Sequence, residues 1–124
     1  FKSGRKGGVF EFASSNELWR ASLDVIDFMP LSSVNYSGGI IITDWYSNER
    51  SRNESIKITI RFLTNEIRSD ALNIKIFTRQ CKESLINCKY IESNKSLVAE
   101  LKKEILKRAT KFQTENKNKK NKKK

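Results

Sequence analysis

Residues 18–46, LWRASLDVIDFMPLSSVNYSGGIIITDWY, constrain the fold more than any other stretch of the chain. They read as an amphipathic helix, a proline stop, a strand, a glycine turn and a second strand. Trp19, Leu23 and Ile26 recur at i, i+4 and i+7, a helical stripe that needs a partner surface, and Leu18 and Val25 widen it. Ser14, Ser15 and Asn16 offer N-caps, and Ser14 with Glu17 has the capping-box spacing. Pro30 cannot continue a helix and biases Met29 away from helical geometry, so the helix is expected to end near Phe28. Residues 31–36 follow as a strand. Residues 37–39 (Ser-Gly-Gly) make a turn in which a positive φ costs little. Residues 40–46, IIITDWY, are β-branched and aromatic and read as an interior strand.

Such a unit needs a covering layer, and the downstream sequence supplies it. After a polar loop over residues 48–54, residues 55–63 alternate without error. Ile56, Ile58, Ile60 and Phe62 share one face, and Lys57, Thr59 and Arg61 share the other. That split is what an antiparallel sheet with one wet side requires. A turn over residues 64–70 leads to Leu72, Ile74 and Ile76, which repeat the alternation. Residues 81–88 span a hairpin tip, with a short return over 88–91. Ser96 is placed as the cap of a last helix carrying Val98, Leu101, Ile105, Ala109 and Phe112. The fold class is therefore α+β: a two-layer sandwich with a four- to five-stranded, mostly antiparallel sheet and both helices on its apolar face.

At 124 residues the chain suits one domain with a modest core. Its 37% apolar content falls short mainly at the ends. Residues 1–13 read as a flexible basic lead-in, with a weak alternation at 9–12 that could add an edge strand. Residues 14–112 form the domain, and 113–124 read as a disordered Lys/Asn-rich tail. The net charge of +11 invites a nucleic-acid or anionic-membrane reading. Six lysines in the last eight residues carry much of it; without them the charge is +5. The tail either keeps the protein soluble or grips an anionic polymer or lipid. No run of about 18 apolar residues is present, so no transmembrane helix is expected. A chain opening on Phe1 is expected to be a processed product or a fragment, and a signal peptide removed ahead of it is compatible with these residues.

The chemistry-bearing residues are sparse. Histidine is absent, which removes the usual general base and the commonest metal ligand. Cys81 and Cys88 have no second pair to complete a zinc site, and no phosphate-cradling glycine motif is present. No cofactor, metal, small-molecule substrate or enzyme activity is expected. Asp24 and Asp27 read as a solvated helix face, and Arg20 has i, i+4 spacing to Asp24. Asp44, the acid inside an apolar strand, either faces the wet side or belongs to a site. Trp45 and Tyr46 read either as core and strand-edge cover or as a contact patch, since Trp and Tyr dominate interface energetics. With Lys57, Arg61 and Lys75 on wet faces, these three make the candidate interaction surface. A nucleic-acid platform is the alternative, disfavoured because only Phe77 is interleaved with the basic positions. Cys81 and Cys88 suit a disulfide in an oxidising compartment and would be two thiols in cytosol.

Several runs carry a family resemblance: residues 18–24 (LWRASLD), 28–31 (FMPL), 38–47 (GGIIITDWYS), 67–72 (IRSDAL) and 100–108 in the last helix. The chain resembles the alphaproteobacterial domain-of-unknown-function-3576 proteins over roughly residues 16–109. It departs from their pattern at Asn35 and Tyr36, where an Asp-Pro is common, and near Leu85, where a Gly-Gly-Trp is usual. The resemblance implies an envelope lipoprotein on the periplasmic side, associated with the outer membrane. Its lipid-bearing cysteine would lie upstream of Phe1, and its partner would be an envelope protein rather than nucleic acid. The helix–glycine–strand rhythm is also similar to the helix-grip domains of lipoproteins that accompany outer-membrane β-barrel assembly, an analogy of fold only.

Overall fold

The computed structural model describes residues 16–47, 53–83, 86–92 and 95–122. The chain runs α1 (Glu17–Val25), β1 (Leu31–Asn35), β2 (Ile40–Thr43), β3 (Glu54–Phe62), a single 3₁₀ turn (Ser69–Ala71), β4 (Leu72–Glu83), β5 (Ile86–Glu92) and α2 (Lys95–Lys122). The strands form one antiparallel meander in the order β1-β2-β3-β4-β5. This is the α+β sandwich expected from the alternating pattern, with five strands and an open sheet.

One face of the sheet is covered. Ile41, Ile58, Ile60, Leu72, Ile74 and Ile76 are buried there with Leu18, Trp19, Ala21 and Ile26 from the first helix and Ile105 and Ala109 from the second. Trp19 anchors the helix–sheet contact: its ring meets Tyr36 edge-on at 5.0 Å and Phe62 at 5.0 Å. The two helices are tied to each other by Arg108, which bonds Asp24 on α1 and Glu104 one turn back on α2. Both carboxylates raise the Arg108 pKa above its usual value, the Asp24 hydrogen bond most. Arg20 is thus not Asp24's partner; it lies over the Phe112 ring at 3.9 Å.

Of the N-caps the sequence offers, Asn16 is the one in use, whereas helix boundaries differ from the sequence reading at the end of α1 and at both ends of α2. Asn16 caps α1, its Oδ1 accepting from the Trp19 N–H at 3.1 Å; Ser14 and Ser15 lie outside the described residues, as does the alternation at 9–12. The helix stops at Val25, not Phe28. Ile26 N–H to Ser22 is the last α-type bond; Asp27 N–H then bonds to Asp24 and Met29 N–H to Ile26, and this tighter winding turns the buried Ile26 and Met29 into the core before Pro30 is reached. At the other end α2 starts at Lys95, so Ser96 sits inside the first turn rather than capping it.

The tail expected to be disordered from residue 113 is helical through Lys122. No Gly or Pro follows Phe112 to break the helix. Thr110 and Thr114 hydroxyls bond back to the carbonyls of Leu106 and Thr110, and Asn116 donates to the Glu17 carboxylate on α1 at 3.0 Å. Lysines near a helix C-terminus also complement its dipole.

The glycine turn is built as the sequence requires. Gly39 has φ +65°, and a Cβ there would lie 3.2 Å from the Phe62 carbonyl oxygen. Asn35, at the position where an Asp is common in the resembled family, accepts from the Gly38 N–H at 2.8 Å through its side-chain oxygen, as an Asp carboxylate would.

Candidate functional site on the uncovered sheet face

Strand pairing fixes which side chains share the bare face. Lys57 pairs with Phe77, Thr59 with Lys75, Arg61 with Asn73 and Ser55 with Arg79. Arg79 in turn pairs with Tyr90, and Cys81 with Cys88. Since side chains alternate, these positions all point away from the helices. Among the described residues no helix lies over them.

Trp45 reaches this face by a shift in register. Ile40, Ile41 and Ile42 pair with Arg61, Ile60 and Thr59, but the next bridge joins Tyr46 to Ile56, one residue out of step. The extra residue makes a β-bulge at 44–45. Thr43 holds it: its buried hydroxyl accepts from the Ile58 N–H at 2.9 Å and donates to the Asp44 carbonyl at 3.0 Å. The Asp44 N–H donates to the Pro30 carbonyl at 2.9 Å, tying the bulge to the start of β1. The bulge sends consecutive aromatic residues to opposite faces. Tyr46 goes inward and meets Phe28 edge-on at 5.3 Å; Trp45 goes outward.

On the outer side Trp45 is the hub of a cluster. The Arg79 guanidinium carbon lies 4.6 Å from its ring centre, Lys57 Nζ 5.7 Å away, and the Tyr90 ring 6.0 Å away at a steep angle. Tyr90 is 63% exposed. Arg79 also donates to the Ser55 hydroxyl at 3.3 Å, and Ser55 is 2.8 Å from the Ser47 hydroxyl. Its Nε–H is buried and has no acceptor among the described residues. A buried donor without an acceptor costs free energy.

Of the six surface residues singled out from sequence, the structure therefore brings together Trp45 and Lys57. Arg61 and Lys75 share the face but lie further along it, Asp44 is exposed at the bulge, and Tyr46 belongs to the covered side. Arg79 and Tyr90 were not singled out. Arg79 was legible as a position in step with Lys75 and Phe77. Tyr90 was legible only through the cysteines, because pairing Cys81 with Cys88 sets Tyr90 opposite Arg79. The objection that only one aromatic residue interleaves with the basic positions does not hold in three dimensions: Trp45, Phe77 and Tyr90 share the face.

Cys81 and Cys88 form a disulfide across the β4–β5 pair, on the same face and two residues beyond Arg79 and Tyr90. It holds the β5 end of the cluster to β4. Among the described residues no group of three His, Cys, Asp or Glu side chains is placed to hold a metal, and no helix is long and apolar enough to cross a membrane.

Comparison with known proteins agrees with the motif pattern. An uncharacterised protein of Rickettsia prowazekii (strain Madrid E), RP420, is 39% identical over 94 residues, covering 74% of this chain. The match spans 54% of that relative, so this chain corresponds to about half of its length. No solved structure matches. The model of the domain of unknown function DUF3576 matches residues 12–114, which takes in the first helix, the whole sheet with its bulge and the second helix as far as Thr114, and the chain belongs to that alphaproteobacterial family.

Proposed function

We propose that this chain is a non-enzymatic binding domain of the cell envelope that engages a protein partner through the uncovered face of its sheet. The observation that carries the reading is the Trp45–Arg79–Lys57–Tyr90 cluster, a partly exposed aromatic and cationic patch on a sheet face that no helix among the described residues covers. Trp, Tyr and Arg are the side chains that most often anchor protein interfaces. The Cys81–Cys88 disulfide supports an oxidising compartment, where such bonds persist. Together with the family resemblance it supports a periplasmic, lipid-anchored setting at the outer membrane.

A photoreactive residue tests this directly. With p-benzoylphenylalanine replacing Tyr90 in the full-length protein of native cells, irradiation should give a discrete protein adduct that fractionates with the envelope. Trp45→Ala in the same chain should reduce that adduct at least fivefold. Cys81 and Cys88 should resist thiol reagents under denaturing, non-reducing conditions. Free thiols, or an adduct indifferent to Trp45, would sink the reading.

Single-stranded nucleic acid is a second reading, favoured by Phe77 and Tyr90 lying among Lys57, Lys75 and Arg79. Base stacking on Trp45 would have to displace the Arg79 guanidinium already over its ring, and this ranks it second. Its signature would be an affinity that falls steeply as salt rises.

A further inference from the structure

A second surface lies at the edge of the sheet, beginning beside Lys75 on the bare face, and shares no residue with the Trp45 cluster. A groove of about 710 Å³ runs between the edge of β4 and the first three turns of α2. Its volume lies in the range of ligand sites. Ile74 on the strand and Val98 and Leu106 on the helix supply its apolar lining. Lys75, Lys95, Lys102 and Lys103 surround that lining, against one acid, Glu92. None of these four lysines has an ion-pair partner among the described residues.

The strand wall of the groove is an open sheet edge. Pairing of β4 with β5 ends at Phe77 and Glu92, whereas pairing with β3 continues to Leu72. Among the described residues, 72–76 are therefore paired on one side only. Backbone direction follows from two bonds to the β3 side: Cys81 N–H donates to Asn53 at 2.7 Å, and the Ala71 carbonyl accepts from Leu63 at 2.8 Å. Odd-numbered residues of β4 thus bond towards β3, and the N–H and C=O of Leu72 and Ile74 point to the open edge. The residue that would continue the β5 register opposite Ile74 is Lys95, and it already belongs to α2.

We infer that this groove binds an extended acidic peptide segment, which adds as a strand to residues 72–76 of β4 and lies against α2. The edge supplies main-chain hydrogen bonds, as in other strand-addition complexes. About five residues, or roughly 17 Å of strand, fit the uncovered length. Apolar side chains of the peptide face Val98 and Leu106, and its carboxylates come within reach of the lysines. Charge selects the occupant. A second copy of this chain would bring the same lysines to the edge and be repelled, whereas an acidic segment is complementary.

The test uses the full chain and a fluorescein-labelled Val-Glu-Val-Glu-Val-Glu peptide. Anisotropy should show saturable binding that the Val-Lys counterpart does not match. K102E/K103E should weaken the acidic peptide at least tenfold and allow the Val-Lys peptide to bind. Amide exchange at Ile74 should slow at least tenfold on adding the acidic peptide. Trp45→Ala should leave all of this unchanged, so failure here and failure of the open-face reading are separate results. Absence of binding overturns the inference. So does binding that leaves Ile74 exchange unaltered, protection of Ile74 by self-association without peptide, or occupation of the groove by laurate in preference to the peptide.

Discussion

The two faces of the sheet are made by the same strands and differ by one residue of phase. On the helix side of β3, Ile58 and Ile60 are buried, and they meet Ile76 and Ile74 across the β4 pair. One position along, Lys57, Thr59 and Arg61 meet Phe77, Lys75 and Asn73 on the bare side. Burial gives the first face its energetics: aliphatic area removed from water against two helices. The second face buries far less, and its order comes from local devices, namely the bulge at 44–45, the Arg79–Trp45 stack and the Cys81–Cys88 bond. A sheet built this way separates the residues that hold the fold from those free to contact a partner, so each set can be changed with little effect on the other.

The largest expected effect breaks the covered face. Ile60→Ala removes a fully buried side chain at the centre of the helix–sheet core and should cost about 2–5 kcal/mol of unfolding free energy. Thr59→Ala, its neighbour on the other face, should change stability by no more than about 0.5 kcal/mol. Urea titration of both variants measures the contrast. Equal losses would mean that the two faces are not energetically distinct.

The next effect lies where the faces are joined. Thr43→Val keeps the side-chain shape but removes the acceptor for the buried Ile58 N–H, at a cost of about 1–3 kcal/mol. Thr43→Ser keeps the hydroxyl and should retain most of that difference. Because Thr43 fixes the bulge, the valine variant should also loosen Trp45, seen as a rise in the rate at which iodide quenches its fluorescence in a Trp19→Phe background. Unchanged quenching would show that Trp45 is held by Arg79 and Tyr90 alone.

The parts legible in the sequence are those set by periodicity. Ile56 to Phe62 alternates with period two, and Leu72 to Ile76 repeats it, so two neighbouring strands and their shared apolar face follow from pattern alone. The bulge does not. Trp45 and Tyr46 are both large, amphipathic aromatics, so period two gives no sign of which points inward, and the register shift between Ile42 and Tyr46 has no signature beyond the threonine that stabilises it. The long second helix was hidden for a different reason. Its apolar stripe ends at Phe112, but its last turns are supported by polar bonds from Thr110, Thr114 and Asn116, which hydropathy does not register. The groove beside β4 depends on β5 stopping at Glu92 and α2 starting three residues later, a matter of strand length that residue type alone does not specify.

The smallest expected effect is the most informative about the bare face. A double-mutant cycle between Trp45→Leu and Arg79→Gln isolates the stack from the separate bond that Arg79 makes to Ser55. A partly exposed cation–π contact of this kind is worth about 0.5–1 kcal/mol, so the coupling free energy from urea denaturation should fall in that interval. A coupling well above it would make the cluster part of the structural core, and loss of partner binding in Trp45 variants would then report misfolding. A coupling near zero would mean that the guanidinium does not rest on the ring in solution, leaving the Trp45 face free for stacking and strengthening the nucleic-acid reading. The intermediate value is what a surface prepared for a protein partner requires: enough to hold Trp45 and Arg79 in place before contact, and too little for the fold to depend on them.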